Sequence, residues 1–147
     1  MPVADCRIID LPKLVDDRGN LSVVEIGRPV PFIIRRVYWI YDVPGGETRG
    51  GHAYKTLQEF MIALSGSFDV VLDDGGQRKV VSLNRSYFGL YVPNMIWRYL
   101  ENFSTNAVCM ILASLPYSEE DYIRDYKGYL SQIVKGKRSC EPLITAE

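Results

Sequence analysis

His52 is the only histidine in a chain of 147 residues, and an imidazole, with an ordinary pKa of about 6.5, is the natural general base near neutral pH. Tyr54 and Glu59 follow closely, and Arg98 stands beside Trp97 in a later segment of strand-like composition. An imidazole, a phenol and a guanidinium brought together can take a proton from a carbon acid and stabilise the oxyanion that forms. Each residue also has a plainer role: a lone histidine is commonly just hydrogen-bonded in a core, and Tyr54 is as well suited to filling an interior as to donating to an oxygen. Arg98 has the weakest plain role, because a buried cation is costly unless an anion such as a diphosphate or carboxylate satisfies it. Arg49 and Lys55 flank the histidine and can hold phosphate or serve as solvated surface charges.

These side chains need a rigid frame, and the sequence supplies one made of strands. Short runs rich in β-branched and aromatic residues recur between Gly, Pro, Asn and Asp, the pattern of a sandwich or barrel. The runs predict strands over Leu21–Ile26, Ile33–Tyr41, Glu59–Ser65, Phe68–Leu72, Lys79–Leu83, Tyr87–Val92, Ile96–Asn102 and Ala107–Ala113. That number suits a jelly roll. Asp73-Asp74-Gly75-Gly76 reads as a hairpin turn. In the segment 33–41, alternation puts Arg36, Tyr38 and Ile40 on one face and Arg35, Val37, Trp39 and Tyr41 on the other, each apolar enough to pack. From Ser118 the pattern changes: Ser118-Glu119-Glu120-Asp121 resembles a capping box, and Tyr122, Ile123, Tyr126, Leu130 and Ile133 follow at helical spacing. A loose tail is expected after Gly136, so that residues 1–134 form one domain and 135–147 a flexible end.

Composition narrows the function. With 47% hydrophobic and 24% charged residues the chain is an ordinary globular protein. Seventeen basic against eighteen acidic residues give a net charge of -1, so there is no global positive field for nucleic acid or an anionic membrane. No apolar run is long enough to span a bilayer, and the start lacks the features of a signal peptide. Three scattered cysteines, Cys6, Cys109 and Cys140, with no CxxC pair, suggest a reducing compartment, and the cytoplasm is the default expectation.

The stretch Gly46-Glu47-Thr48-Arg49-Gly50-Gly51-His52-Ala53-Tyr54-Lys55-Thr56-Leu57-Gln58-Glu59, followed by Gly66, resembles the first cupin motif, with tyrosine in place of its second histidine. Pro93-Asn94-Met95-Ile96-Trp97-Arg98-Tyr99-Leu100-Glu101-Asn102 resembles the second motif, with Met95 for its glycine and Arg98 for its histidine. Two partial matches in the right order imply an all-β cupin barrel with a C-terminal helix. The four positions that hold a metal in that family read His52, Tyr54, Glu59 and Arg98. Arginine cannot ligate and its charge repels a cation, so no tightly held metal is expected. The motif position also turns the balance for His52 from core residue to base.

A narrower resemblance is carried by Asp17-Arg18-Gly19-Asn20-Leu21, Ile34-Arg35-Arg36-Val37-Tyr38, Arg49-Gly50-Gly51-His52-Ala53, Gly89-Leu90-Tyr91-Val92-Pro93, and Leu112-Ala113-Ser114 through Asp121-Tyr122-Ile123-Arg124-Asp125-Tyr126. In order and spacing these blocks look like the dTDP-4-keto-6-deoxyglucose 3,4-ketoisomerases. The resemblance implies a homodimer with exchanged N-terminal strands, a dTDP-linked keto sugar as ligand and no cofactor. His52 is then the proton shuttle, with Tyr38 and Tyr54 as further catalytic residues and Arg18, Arg49, Lys55, Gln58 and Arg98 as substrate-binding residues. Two rivals stand beside this reading: a sugar-nucleotide 3,5-epimerase, for which the chain is short, and a non-catalytic sugar-binding cupin. A metal-dependent dioxygenase is disfavoured by the loss of two ligand positions.

Overall fold

Alternation along each strand decides which side chains enter the interior and which face outward. The computed structural model describes residues 2–140, with side chains described as far as residue 136. In chain order the strands are β1 (Arg7–Asp10), β2 (Lys13–Leu14), β3 (Leu21–Ser22), β4 (Glu25–Ile26), β5 (Pro29–Val30), β6 (Arg36–Ile40), β7 (Arg49–Tyr54), β8 (Glu59–Ser65), β9 (Phe68–Asp73), β10 (Arg78–Leu83), β11 (Phe88–Val92), β12 (Trp97–Glu101), β13 (Val108–Ala113) and β14 (Tyr122–Ile123). The helix α1 (Tyr126–Cys140) closes the series.

Two five-stranded sheets carry the fold, one in the order β1-β11-β8-β13-β6 and the other β10-β9-β12-β7-β14. Neighbours in both are antiparallel. Between them lies the main core, in which Met61, Ala63, Phe68, Val70, Leu72, Leu90, Leu100, Cys109 and Ile111 are fully buried. Each large apolar side chain so buried contributes roughly 1.5–3 kcal/mol. The alternate residues Phe60, Ile62 and Leu112 point the other way and are covered by Leu11, Val30 and Phe32 from the N-terminal segment. The expected all-β architecture with a C-terminal helix is therefore present.

Several expected boundaries shift. The predicted strand over Leu21–Ile26 is divided into β3 and β4, which pair with β2 and β5 and not with the main sheets. Only Arg36–Ile40 of the predicted 33–41 strand is in a ladder. Its outward face is left largely uncovered by the described residues: Val37, Trp39 and Tyr41 are 46%, 59% and 60% exposed. The hairpin at Asp74 forms as expected, with the Asp74 amide bonded to the Gln77 carbonyl and Gly75 at a φ of 90°.

The helix does not begin at Ser118, whose side chain caps nothing. Glu119–Asp121 make a single 3-10 turn. The Asp121 carboxylate instead accepts from the Thr56 and Leu57 amides, and Tyr122–Ile123 pair with Tyr54–Ala53. Pairing with the edge of β7 outcompetes the local helical pattern, and Asp125 becomes the cap, accepting from the Gly128 amide. Nor does the chain turn loose after Gly136, because α1 runs on to Cys140; one glycine inside a helix costs only about 1 kcal/mol. Residues 141–147, where the rest of the expected tail falls, lie outside the described residues. The helix packs on the outer face of the second sheet through Tyr129, which is buried among Ala53, Trp97 and Ile123.

Candidate active site

The polar end of the barrel is assembled from interior-facing positions on five strands. Tyr38 and Arg36 come from β6, His52 and Tyr54 from β7, Glu59 from β8, Arg98 from β12 and Tyr122 from β14. Arg98 lies opposite His52 in the ladder between β12 and β7. Ala113 of β13 pairs with both Arg36 and Glu59, so those two flank it on either side.

Arg98 is not waiting for a ligand. Its Nε donates to Glu59 Oε1 at 2.9 Å and its Nη2 to Glu59 Oε2 at 3.0 Å, a two-pronged ion pair. Nη1 donates to the Gly50 carbonyl at 2.7 Å, and Nη2 also reaches Tyr38 Oη at 3.1 Å. Burial works against the charge, but Glu59 and the surrounding phenols hold the guanidinium firmly protonated. The expectation that a substrate anion satisfies Arg98 is thus corrected: Glu59 does so. Gly50 makes room for this, since it adopts a φ of 72° and a Cβ there would lie 2.2 Å from Arg98 Nη1.

Tyr38 donates its hydroxyl proton to Glu59 Oε2 at 2.6 Å. Burial and the Glu59 charge push its pKa up. His52 is buried, 8% exposed, and its Nε2 has no hydrogen-bond partner. The ring lies edge-on to Tyr54 at 4.8 Å and tilted against Tyr122 at 4.9 Å. Burial first, then the charges of Arg98, Arg124 and Arg36, push its pKa down to about 2, so the imidazole is neutral in the free site. Tyr54 Oη is also buried without a partner, and burial followed by the Glu59 charge raises its pKa. An aromatic column leads outward from these rings, from Tyr54 to Tyr122 and on to exposed Tyr117.

The other expected binding residues are less central. Arg18 is exposed and bonded to Asp16. Arg49 and Lys55 are exposed. Gln58 immediately precedes β8, and its amide oxygen accepts from the Tyr91 hydroxyl. Arg36 and Tyr122 were missed as site residues, although the interior face shared by Arg36 and Tyr38 was visible in the period of two. A metal does not suit this donor set, because the Glu59 carboxylate is committed to Arg98. Among the described residues no three His, Cys, Asp or Glu side chains come together to hold one.

A two-sheet barrel whose interior ends in a neutral imidazole, three phenols and an internally paired arginine defines a protein of the cupin type with a polar interior site. Residues 4–134 match the family model described as FdtA: WxcM-like, C-terminal, and the chain belongs to this family of sugar isomerases. It is 41% identical over 88% of its length, and 93% of the relative, to a TDP-4-oxo-6-deoxy-alpha-D-glucose-3,4-oxoisomerase of Aneurinibacillus thermoaerophilus. A 3,4-ketoisomerase structure from Helicobacter canadensis shares 39% identity at a TM-score of 0.86, covering 88% of this chain and 98% of that one. A sugar 3,4-ketoisomerase from Thermoanaerobacterium thermosaccharolyticum, solved in complex with TDP, shares 34% identity at a TM-score of 0.89, covering 92% and 98%.

Proposed function

We propose that the protein is a TDP-sugar 3,4-ketoisomerase that moves the keto group of TDP-4-keto-6-deoxyglucose from C4 to C3, with His52 as the proton carrier. The observation that carries this reading is the buried His52 Nε2, which has no acceptor or donor of its own, on a ring packed against both the Tyr54 and Tyr122 rings, which also touch each other. The C3 proton is acidified by the adjacent carbonyl. Nε2 takes that proton, the C3–H electron pair becomes the C3=C4 double bond, and the carbonyl π pair moves to O4. A proton passes from O3 to O4, and His52 returns its proton to C4. Every atom is conserved, and the step needs neither an oxidant nor a resident metal.

Tyr54 Oη, with no partner in the free site, suits donation to a sugar oxygen. Tyr38 serves differently, because its proton is aimed at Glu59; it presents an oxygen to the site and fixes the wall against which the sugar lies. Arg49, Lys55 and Gln58 remain candidates for contacts to the nucleotide diphosphate, together with Arg18. The assembly is a homodimer with exchanged N-terminal strands, supported by the outward face of β6 with its exposed Val37, Trp39 and Tyr41. A cytoplasmic location is part of this reading, supported by the buried free thiols Cys6 and Cys109, which suit a reducing compartment.

Incubation with TDP-4-keto-6-deoxyglucose tests the reading by product. A 3-keto sugar is expected. A C3/C5-epimerised 4-keto sugar indicates the epimerase alternative, and unchanged ligand a binding protein.

A further inference from the structure

We infer that Arg36 supplies the positive charge that stabilises the enediolate oxygen during isomerisation, an inference that rests on the isomerase reading and names a further catalytic residue for it. Three guanidinium groups act electrostatically on His52: those of Arg98, Arg124 and Arg36. Arg98 is neutralised by Glu59 at 2.9 Å. Arg124 is paired with Glu119 and lies over the Tyr122 ring at 4.1 Å. Arg36 has no carboxylate partner among the described residues: its Nη2 reaches Tyr122 Oη at a long 3.4 Å, and its Nη1 is buried with no acceptor at all. The guanidinium carbon is 4.5 Å from the centre of the Tyr38 ring and 5.4 Å from that of Tyr117.

Arg36 is therefore the one uncompensated cation of these three, and it lies against the Tyr38 and Tyr117 rings with its Nη2 turned toward Tyr122 Oη, beside the His52 ring. A buried donor left without an acceptor is costly, and a substrate oxygen that gains negative charge removes that cost. The chemistry requires such a group. His52 is held neutral and weakly basic in the free site, so carbon-proton removal depends on strong stabilisation of the enediolate. The phenol of Tyr38 cannot give it, because its proton is committed to Glu59.

The test replaces Arg36 by Met and by Lys and measures turnover of TDP-4-keto-6-deoxyglucose, exchange of its C3 proton with D2O, and TDP affinity by calorimetry. The Arg36→Met enzyme is expected to lose about 10²-fold in kcat and in C3 exchange, as when one preorganised oxyanion donor is removed. KM and the TDP Kd should stay within threefold, and Arg36→Lys should recover at least tenfold of the loss because it restores charge. A tenfold rise in KM and TDP Kd with kcat unchanged would overturn the inference by making Arg36 a diphosphate ligand. Should the Met variant not fold, Arg36→Gln, which keeps polarity but removes the charge, decides: kcat equal to wild type overturns the inference, and a reduced kcat with unchanged TDP Kd supports it. Wild-type protein in the same assay separates the two failures. Absence of wild-type turnover overturns the isomerase reading itself, whereas full activity of Arg36→Met beside an active wild type overturns only the role of Arg36.

Discussion

Arg98 and Glu59 meet 2.9 Å apart inside the barrel, with side chains only 2% and 1% exposed, and Tyr38 joins both of them. The second cupin motif has a histidine where Arg98 stands, so the arginine brings a charge into the interior that the barrel must compensate for itself. Glu59 provides that compensation, and the Gly50 carbonyl takes a further guanidinium proton. Arg98 thereby becomes a positioning residue that fixes Glu59 and, through it, the direction of the Tyr38 hydroxyl.

Removing Arg98 alone leaves Glu59 buried and uncompensated, a loss of about 3–5 kcal/mol. For a chain of this size Arg98→Ala should melt roughly 10 °C or more below wild type. Pairing Arg98→Met with Glu59→Gln should recover much of that loss, since no isolated charge remains. Thermal melts of the single and double variants check this, and a single variant melting with the wild type would place Arg98 outside the structural network.

Gly50 is the second support of the pair. At a φ of 72° a side chain is strained, and a Cβ would sit 2.2 Å from Arg98 Nη1. Gly50→Ala should cost about 1–3 kcal/mol from backbone strain and the displaced guanidinium, measurable by urea denaturation. The same change at Gly45, where a Cβ meets nothing within 4 Å, should be close to neutral.

How much of this was legible in the sequence depended on whether a signal was local. Strands β8 to β13 follow apolar alternation and turn residues, and their boundaries were readable to within a residue or so. The helix start was not, because Ser118–Asp121 carries a cap-like pattern whose aspartate bonds to Thr56 and Leu57, more than sixty residues away. His52 could be found from motif position. The partner of Arg98 could not, since Glu59 is 39 residues distant and had been read only as the retained glutamate of the cupin metal positions. Arg36 had a usable signal, a charge on the interior face of a strand beside Tyr38, but nothing local separates it from its neighbour Arg35.

Replacing His52 by Asn should preserve the barrel and TDP binding while lowering kcat by about 10²–10⁴, the usual contribution of a positioned base. Asparagine can still hydrogen-bond but cannot carry a proton near neutral pH, and no other histidine exists in the chain. Turnover within a few-fold of wild type, with TDP affinity intact, would show that His52 is not the base.

The same imidazole sets a pH dependence that differs from the expectation of an ordinary histidine. In the folded protein its pKa lies at about 2, mainly through burial and then through Arg98, Arg124 and Arg36, against about 6.5 in the unfolded chain. Between those values the unfolded state binds the additional proton, so stability from this group is fully present above pH 6.5 and declines as the pH falls toward 2. The slope approaches 1.4 kcal/mol per unit, which amounts to roughly 2 kcal/mol between pH 7 and pH 5. None of the arginines facing the ring titrates in that range. Activity should behave differently from stability: kcat/KM should not fall through pH 6.5 on account of His52, because the free site keeps it unprotonated down to pH 5. Urea unfolding of wild type and His52→Asn at pH 7 and pH 5 isolates the effect, since the asparagine variant should lose this part of the acid destabilisation. Equal acid destabilisation in both proteins, or a wild-type kcat/KM profile breaking near 6.5, would show that the ring titrates as a solvated histidine in the folded state.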